Sequence, residues 1–86
     1  MLNTNTARLI HFHITNELLN QSIAFDDSTL TSQINWFVNR QSVGMVNIVA
    51  NILLMVIIDA ADVERINDLA PEIAGRVNRA RLEIYS

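Results

Sequence analysis

The stretch QSVGMVNIVANILLMVII, residues 41–58, decides how this chain folds, because its 18 residues include no charged side chain. Gly44, Asn47 and Asn51 recur along it at helical spacing and give a predominantly apolar helix one polar stripe. A core helix of a compact bundle turns such a stripe to solvent, whereas a membrane-spanning helix uses it for packing. The flanking sequence suits a compact domain, so we expect a core helix and no membrane span.

The residues before this stretch predict a long first helix, Thr4–Asn20. Its apolar side chains recur every three or four residues, at Ala7, Ile10, Ile14 and Leu18. Residues 10–14 also alternate between apolar side chains and histidine, which is the pattern of a strand. Glu17 and the two leucines that follow it favour the helix.

The least regular part of the sequence, residues 21–41, is predicted to be a long loop that contains one short amphipathic helix. Asp26-Asp27-Ser28 is a turn or N-cap cluster at its start. The apolar face of the short helix would consist of Leu30, Ile34, Phe37 and Val38. Trp36 has two interpretations, a cover over the core or a contact with a partner.

Ser42 is predicted to be the N-cap of the next helix, which ends near residue 54 or 56. Its inner face would consist of Val46, Val49, Ala50 and Leu53. Residues 59–62 form a second cap cluster, and they open a short helix that reaches about Leu69. Pro71 suits the first turn of a last helix, which carries Ile73, Val77 and Leu82. The order predicts an all-α fold, a four-helix bundle with a long first loop and a short third helix.

Composition limits the class of protein to which the chain can belong. Its 86 residues suit one domain, residues 1–86, and half of them are hydrophobic, which favours a packed core over disorder. The net charge is −3 and all six basic residues are arginine, a balance that argues against general nucleic-acid binding. The chain has no cysteine, and its first residues lack the pattern of a signal peptide. These features suit a cytoplasmic protein.

The order of the predicted elements resembles that of the acyl and peptidyl carrier proteins, whose modified serine stands at the start of the second long helix. The family motif there is Asp-Ser followed by an aliphatic residue, and this chain reads Gln41-Ser42-Val43-Gly44. Residues 25–30 resemble the acidic loop of the family, residues 56–62 its strand-like stretch and acidic cap, and residues 66–70 the approach to its last helix. The resemblance covers roughly residues 7–82, and it is closest to the discrete, single-domain carriers.

The resemblance implies that Ser42 carries a 4'-phosphopantetheine arm, with Gln41, Val43 and Gly44 beside the attachment point. Such a protein is not an enzyme. It holds an acyl or aminoacyl intermediate as a thioester for fatty acid, polyketide or nonribosomal peptide biosynthesis. The implied partners are a phosphopantetheinyl transferase and the enzymes that load and transfer these groups. A helix that begins at Ser42 would favour the phosphate of the arm through its backbone N–H groups and its dipole.

A partner surface is predicted on the same helix, at Met45, Asn51, Ile52 and Met55. In the carrier family this helix usually ends in glutamates and a phenylalanine, but residues 51–54 here read Asn-Ile-Leu-Leu. We therefore expect contact by apolar burial more than by charge. Ile52, Leu54 and Met55 lie outside the predicted inner face and would form an exposed apolar patch, and the alternative is that a slightly rotated helix buries them. Self-contact of the surface would produce a homodimer.

Two functions of other classes stay open. A non-catalytic helical regulatory or interaction protein would act as a dimer through the helix that starts at Ser42, and it would need no modification. A helix-turn-helix DNA-binding module would use residues 33–53. Against this module, Arg40 is the only basic residue between Arg8 and Arg65.

No catalytic or metal-binding residues are predicted. His11 and His13 face different sides of a helix, and no acidic or thiol ligand clusters beside them in sequence. On a strand the two histidines would share a face. A Ser-His-Asp hydrolase would require Ser42 as its nucleophile, but the chain lacks the Gly-x-Ser-x-Gly turn that presents one. We expect histidines without a ligand role.

Overall fold

The structure, a computed structural model, describes residues 4–40 and 43–85, and it is helical throughout, as the sequence predicts. Its four α-helices are α1 Thr4–Asn20, α2 Asp27–Arg40, α3 Met45–Val56 and α4 Ile66–Tyr85. A 3₁₀ helix, Ala60–Arg65, leads directly into α4. Within the described ranges the chain forms no strand, although an isolated antiparallel bridge joins Phe25 to Ile57.

The first helix has the predicted bounds, and the strand alternative for residues 10–14 is wrong. Ile10, Ile14 and Leu18 are fully buried, whereas Phe12 is exposed. A helix separates these side chains because one turn takes about 3.6 residues. The same geometry places His11 and His13 on different sides of α1.

A residue in the left-handed region ends α1 and turns the chain. Ser22 has φ 56°. Its N–H donates to the carbonyl of Leu19 at 3.1 Å, and the N–H of Ile23 donates to the carbonyl of Leu18 at 2.9 Å. This pair of bonds is the Schellman arrangement, which satisfies carbonyls that a helix end leaves without partners. Leu18 and Ile23 are both buried, so the turn also contributes to the core.

The long first loop is not present, because most of residues 21–41 form α2, a helix of 14 residues. The Asp26 carboxylate starts α2 by accepting the backbone N–H of Ser28 at 3.1 Å and the hydroxyl of Thr29 at 3.0 Å. The buried face of α2 consists of Leu30, Ile34 and Phe37. The predicted cap and the predicted apolar face are thus both present. The helix is longer than expected because the polar residues between the apolar ones also adopt it.

The uncharged stretch forms α3, whose N-cap position is taken by Gly44 rather than by Ser42. Helix α3 therefore begins later than predicted, and Gln41 and Ser42 lie outside the described residues. The buried face of α3 consists of Met45, Ile48, Val49, Ile52, Leu53 and Val56. Gly44, Asn47 and Asn51 are exposed, as the predicted polar stripe requires. In the described part of the chain, no helix is both long enough and apolar enough to cross a membrane.

The predicted short third helix is not a separate α-helix. Residues 60–65 form the 3₁₀ helix, and the Asp59 side chain caps it by accepting a backbone N–H at 2.9 Å, which confirms the second cap cluster. Such tight turns often begin α-helices, and here the chain continues into α4 without a break. Pro71 consequently lies inside α4 and not in its first turn. There it removes the helical donor to the carbonyl of Asn67.

Each helix packs against two others and contributes to one apolar core. Helix α1 contacts α2 and α4, and α3 contacts the same two helices, most extensively α4. Ile73 and Val77 of α4 are buried in this core, as predicted. Leu82, predicted for the same face, is exposed near the end of α4.

The connection between α1 and α2 pairs with the end of α3. The N–H of Asp26 donates to the carbonyl of Val56 at 2.9 Å, and the N–H of Ile58 donates to the carbonyl of Ala24 at 3.2 Å. These two bonds flank the β-bridge. They hold the start of α2 beside the end of α3, and this places α2 along one side of α3.

A buried carboxylate joins α1 to α4. Glu17 is 3% exposed, and its oxygens accept hydrogen bonds from the Arg76 guanidinium and from the Gln21 amide, the latter at 2.9 Å. Arg76 also donates to Glu72 at 2.7 Å, and Arg65 donates to the Gln21 amide oxygen. The hydrogen bond from Gln21, followed by that from Arg76, lowers the pKa of Glu17 from its ordinary value.

We expect Arg76→Met to lower the free energy of unfolding by about 2 kcal/mol at neutral pH, because the Glu17 carboxylate stays buried without its cation. The lowered pKa means that Glu17 stabilises the fold above its unfolded-state pKa. That contribution is lost as the pH falls through the folded-state pKa, so the difference between variant and wild type should shrink in acid. Urea unfolding at neutral and acidic pH measures it.

Arg79→Met is the matched control, because Arg79 lies on the same helix and is exposed. It should change the free energy of unfolding by no more than about 0.5 kcal/mol. An equal loss in both variants, or a loss that does not change with pH, would contradict the role assigned to Glu17.

Candidate interaction surface

The outward face of α3 forms a ridge without charge. Asn47, Ala50, Asn51 and Leu54 lie on this face three or four residues apart, and we call them the α3 ridge. Ala50 is half-buried and the other three are exposed. Because α3 contains no charged residue, its ridge offers a partner only amide and apolar groups.

A shallow groove runs along each side of the α3 ridge. The α2 groove, of about 310 Å³, is lined by Gln33, Trp36, Phe37, Asn51, Leu54 and Met55. The α4 groove, of about 270 Å³, is lined by Ala50, Asn51, Leu54, Val63, Ile66 and Asn67. Asn51 and Leu54 line both grooves, so they form the wall between them. Every side chain that lines the two grooves is uncharged.

The single tryptophan of the chain lines the α2 groove. Trp36 is 48% exposed, and its ring packs edge-on against Phe37 with the ring centroids 4.9 Å apart. The guanidinium carbon of Arg40 lies over the Trp36 ring, 5.3 Å from its centroid. Phe37 is buried, so Trp36 contacts the core through the Phe37 ring, while about half of the Trp36 side chain stays exposed. The two interpretations of this residue are therefore compatible.

Of the four residues predicted for the partner surface, two are exposed and two are buried. Asn51 and Met55 are exposed, and both line the α2 groove. Met45 and Ile52 are instead buried in the core, at 8% and 0% exposure, and do not reach this surface. The buried face of α3 is rotated relative to the prediction, and Val46, which was expected to face inward, is exposed.

Two residues of the surface were not singled out from the sequence. Gln33 lines the α2 groove and Val63 lines the α4 groove. The sequence did indicate that Val63 could be exposed, because it is an apolar residue between Asp62 and Glu64 in a short segment with no apolar periodicity. Gln33 had none, since a polar residue in an amphipathic helix is expected on the outer face.

The predicted attachment site lies where the chain approaches α3. Gln41 and Ser42 are outside the described residues, but Val43 and Gly44 are both exposed. Apart from Gly44, its two chain neighbours and the adjacent helix backbone, no atom of the described residues lies within 4 Å of the position that a Cβ would take at Gly44. A small side chain at position 44 would therefore meet open space. Gly44 itself has no side chain with which to cap the first-turn N–H groups of the helix.

The two histidines lie in different surroundings. His11 faces α2, where its Nε2 lies 3.0 Å from a carboxylate oxygen of Asp27. Burial, followed by the positive charges of Arg76 and Arg79, lowers the pKa of His13 from its ordinary value. Among the residues that the structure describes, no three potential metal ligands of the histidine, cysteine or acidic type come together.

No family model, curated protein or solved structure matches this chain. The resemblance to carrier proteins therefore rests on the sequence segments that suggest it.

We expect Leu53→Ala and Leu54→Ala, two adjacent substitutions, to differ sharply in their effect on stability. Leu53 is fully buried, so its truncation should lower the free energy of unfolding by about 2–5 kcal/mol. Leu54 is 55% exposed, and its truncation should cost less than about 1 kcal/mol. Urea unfolding of the two variants measures the difference. Similar losses in both would contradict the orientation of α3.

Proposed function

We propose that this chain is a non-catalytic helical interaction protein that binds a protein partner through the α3 ridge and its grooves. The observation that carries the proposal is the uncharged ridge between two uncharged grooves. A partner segment would cover the ridge and place apolar side chains in the grooves. Trp36 would be its main anchor, since a partly exposed tryptophan beside a groove contributes strongly to binding.

The exposed apolar side chains around the ridge favour a protein partner. Leu54 and Met55 are 55% and 57% exposed in the last turn of α3, and Trp36 stands across the α2 groove from them. Removing this surface from water is favourable in proportion to its area. A nucleic acid would gain nothing comparable, because α3 offers no basic side chain to phosphate.

The exposed side chains of the α3 ridge contribute little to the packing of the bundle. The core packs the opposite face of α3 against α2 and α4, and the ridge takes no part in that packing apart from the half-buried Ala50. Substitutions at Asn51 or Leu54 should therefore change binding and leave the fold intact. This separation makes the proposal testable on a folded protein.

The test places a photo-crosslinking amino acid at position 51 or at position 16, in cells that naturally make the protein. Asn51 is on the ridge, and Asn16 is an equally polar, exposed residue on α1. We expect a defined covalent adduct from position 51 and none of the same mass from position 16. Adding Leu54→Arg to the position-51 variant should remove the adduct.

Absence of any adduct at position 51, or identical adducts at both positions, would overturn the proposal. Circular dichroism of each variant checks that the helices are retained. The mass of the adduct also identifies the type of partner, since a second copy of the chain doubles the mass and any other protein gives a different sum.

A second candidate function is that of an acyl or peptidyl carrier with a 4'-phosphopantetheine arm on Ser42. The observation that favours it is the exposure of Val43 and Gly44, the two residues that follow Ser42. A transferase needs such access, because the Ser42 hydroxyl must attack the pantetheine phosphate of coenzyme A. The new Oγ–phosphorus bond forms as adenosine 3',5'-bisphosphate leaves and the hydroxyl proton passes to a base of the transferase.

The carrier would deliver its thioester to acyl-loading and acyl-transferring enzymes, and the uncharged ridge would replace the acidic surface usual in that family. Gln41, in the place of the family's aspartate, would slow the modification or require a dedicated transferase. The four-helix arrangement described here has α2 where carriers have a long loop, so partner enzymes would meet a different surface on that side.

We expect wild type to gain the mass of one phosphopantetheine group when it is incubated with coenzyme A and a broad-specificity transferase, if it is a carrier. Ser42→Ala should gain none and should keep its helical circular dichroism, because Gly44 and not Ser42 occupies the N-cap. Intact mass spectrometry provides the readout. No mass gain with any transferase tried would contradict this candidate, and an equal gain in Ser42→Ala would contradict the site.

A further inference from the structure

We propose that the partner of the α3 ridge is a second copy of this chain, bound about a two-fold axis that runs between two antiparallel α3 helices. The inference rests on the proposed function and names its partner. In this arrangement Leu54 of each copy enters the α2 groove of the other. Each copy gives and receives the same contact, as the interface of a symmetric dimer requires.

The shape of the surface is complementary to itself. A ridge that is flanked by a groove fits a copy of itself after a half-turn, because each ridge then lies in the partner's groove. Ala50 is small and lets the two helices approach closely, while Leu54 projects far enough to reach the partner's Trp36. The side-chain amide of Asn51, which lies close to the axis, carries both donors and an acceptor, so it can pair with the Asn51 amide of the other copy.

The charges around the ridge also favour a second copy in the antiparallel orientation. Arg40 ends α2, and the four residues between it and Met45 keep it near the N-terminal end of α3. The exposed acids Asp59 and Glu64 follow the C-terminal end of α3. A half-turn about an axis that passes near residue 52 of α3 places Arg40 of one copy toward the acids of the other, on both sides of the axis.

The exposed apolar area is sufficient for a dimer of modest affinity. The side chains that contribute most are Trp36, Val46, Leu54, Met55 and Val63. They present on the order of 500 Å² per copy, and the ridge amides extend the contact toward the roughly 800 Å² per partner of a standard interface. We expect a dissociation constant in the micromolar range, since the contact is small and largely apolar.

The first experiment measures self-association by sedimentation velocity over a range of concentrations from below to well above micromolar. Wild type should pass from monomer to dimer, and the emission of Trp36 should shift to shorter wavelength as the dimer buries the ring. Leu54→Arg should weaken the dimer by at least about tenfold. Leu19→Arg is the matched control, because Leu19 is also an exposed leucine in the last turn of a helix.

The second experiment maps the axis with cysteines, for which the chain offers an empty background because it has none of its own. Asn51→Cys should be captured as a covalent dimer by a short bis-maleimide. Asn47→Cys should not, because antiparallel pairing separates the two copies of residue 47 by about 15 Å along the helix axis. Asn16→Cys, on the opposite helix α1, measures how much covalent dimer arises from random collision.

Wild type that stays monomeric at all concentrations overturns the inference. Efficient capture through Asn47→Cys as well as Asn51→Cys overturns the antiparallel arrangement. If Leu19→Arg weakens the dimer as much as Leu54→Arg does, the α3 ridge is not the interface. A monomeric chain that still forms an adduct with another protein at position 51 rejects the self-association and leaves the proposed function standing. No adduct and no dimer reject both. Circular dichroism of every variant confirms that it is folded.

Discussion

The burial of one face of α3 is the constraint on which the rest of the structure depends. Helix α3 contacts α2 on one side and α4 on the other, and its six buried residues lie in the common core. Because apolar burial is the largest favourable term in folding, the orientation of this helix fixes what remains outside. The outer half keeps Asn47 and Asn51 for water and exposes Leu54 and Met55. A helix without charge thus supplies both a part of the core and an uncharged outer surface.

The sequence predicts the helices better than it predicts how they face one another. The bounds of α1 and the caps at Asp26 and Asp59 follow from local patterns, and local hydrogen bonds determine them. The extent of α2 was missed because its apolar residues are sparse, and the pairing of Asp26 with the distant Val56 helps to define its start. Such a contact between segments far apart in sequence leaves no local pattern.

The orientation of α3 could not be predicted for a related reason. In a helix where most residues are apolar, several neighbouring faces are nearly equal in hydrophobicity, so packing between α2 and α4 decides which one turns inward. Met45 and Ile52 consequently entered the core while Val46 became exposed. Asn51 and Met55, which were predicted for the partner surface, are exposed, as that prediction requires. Pro71 shows the same limit, since the 3₁₀ helix before α4 carries the helix through the position where a start was expected.

The pairing of the α1–α2 connection with the end of α3 has a consequence for how the molecule opens. The side chain of Asp26 caps α2, and its backbone N–H donates to the carbonyl of Val56 at the end of α3. One residue therefore links the two helices. When the last turn of α3 frays, Asp26 loses the Val56 carbonyl as the acceptor of its N–H. The two helices should therefore protect their amides from hydrogen exchange as one cooperative unit, and the grooved surface between them would lose its shape only when that whole unit opens.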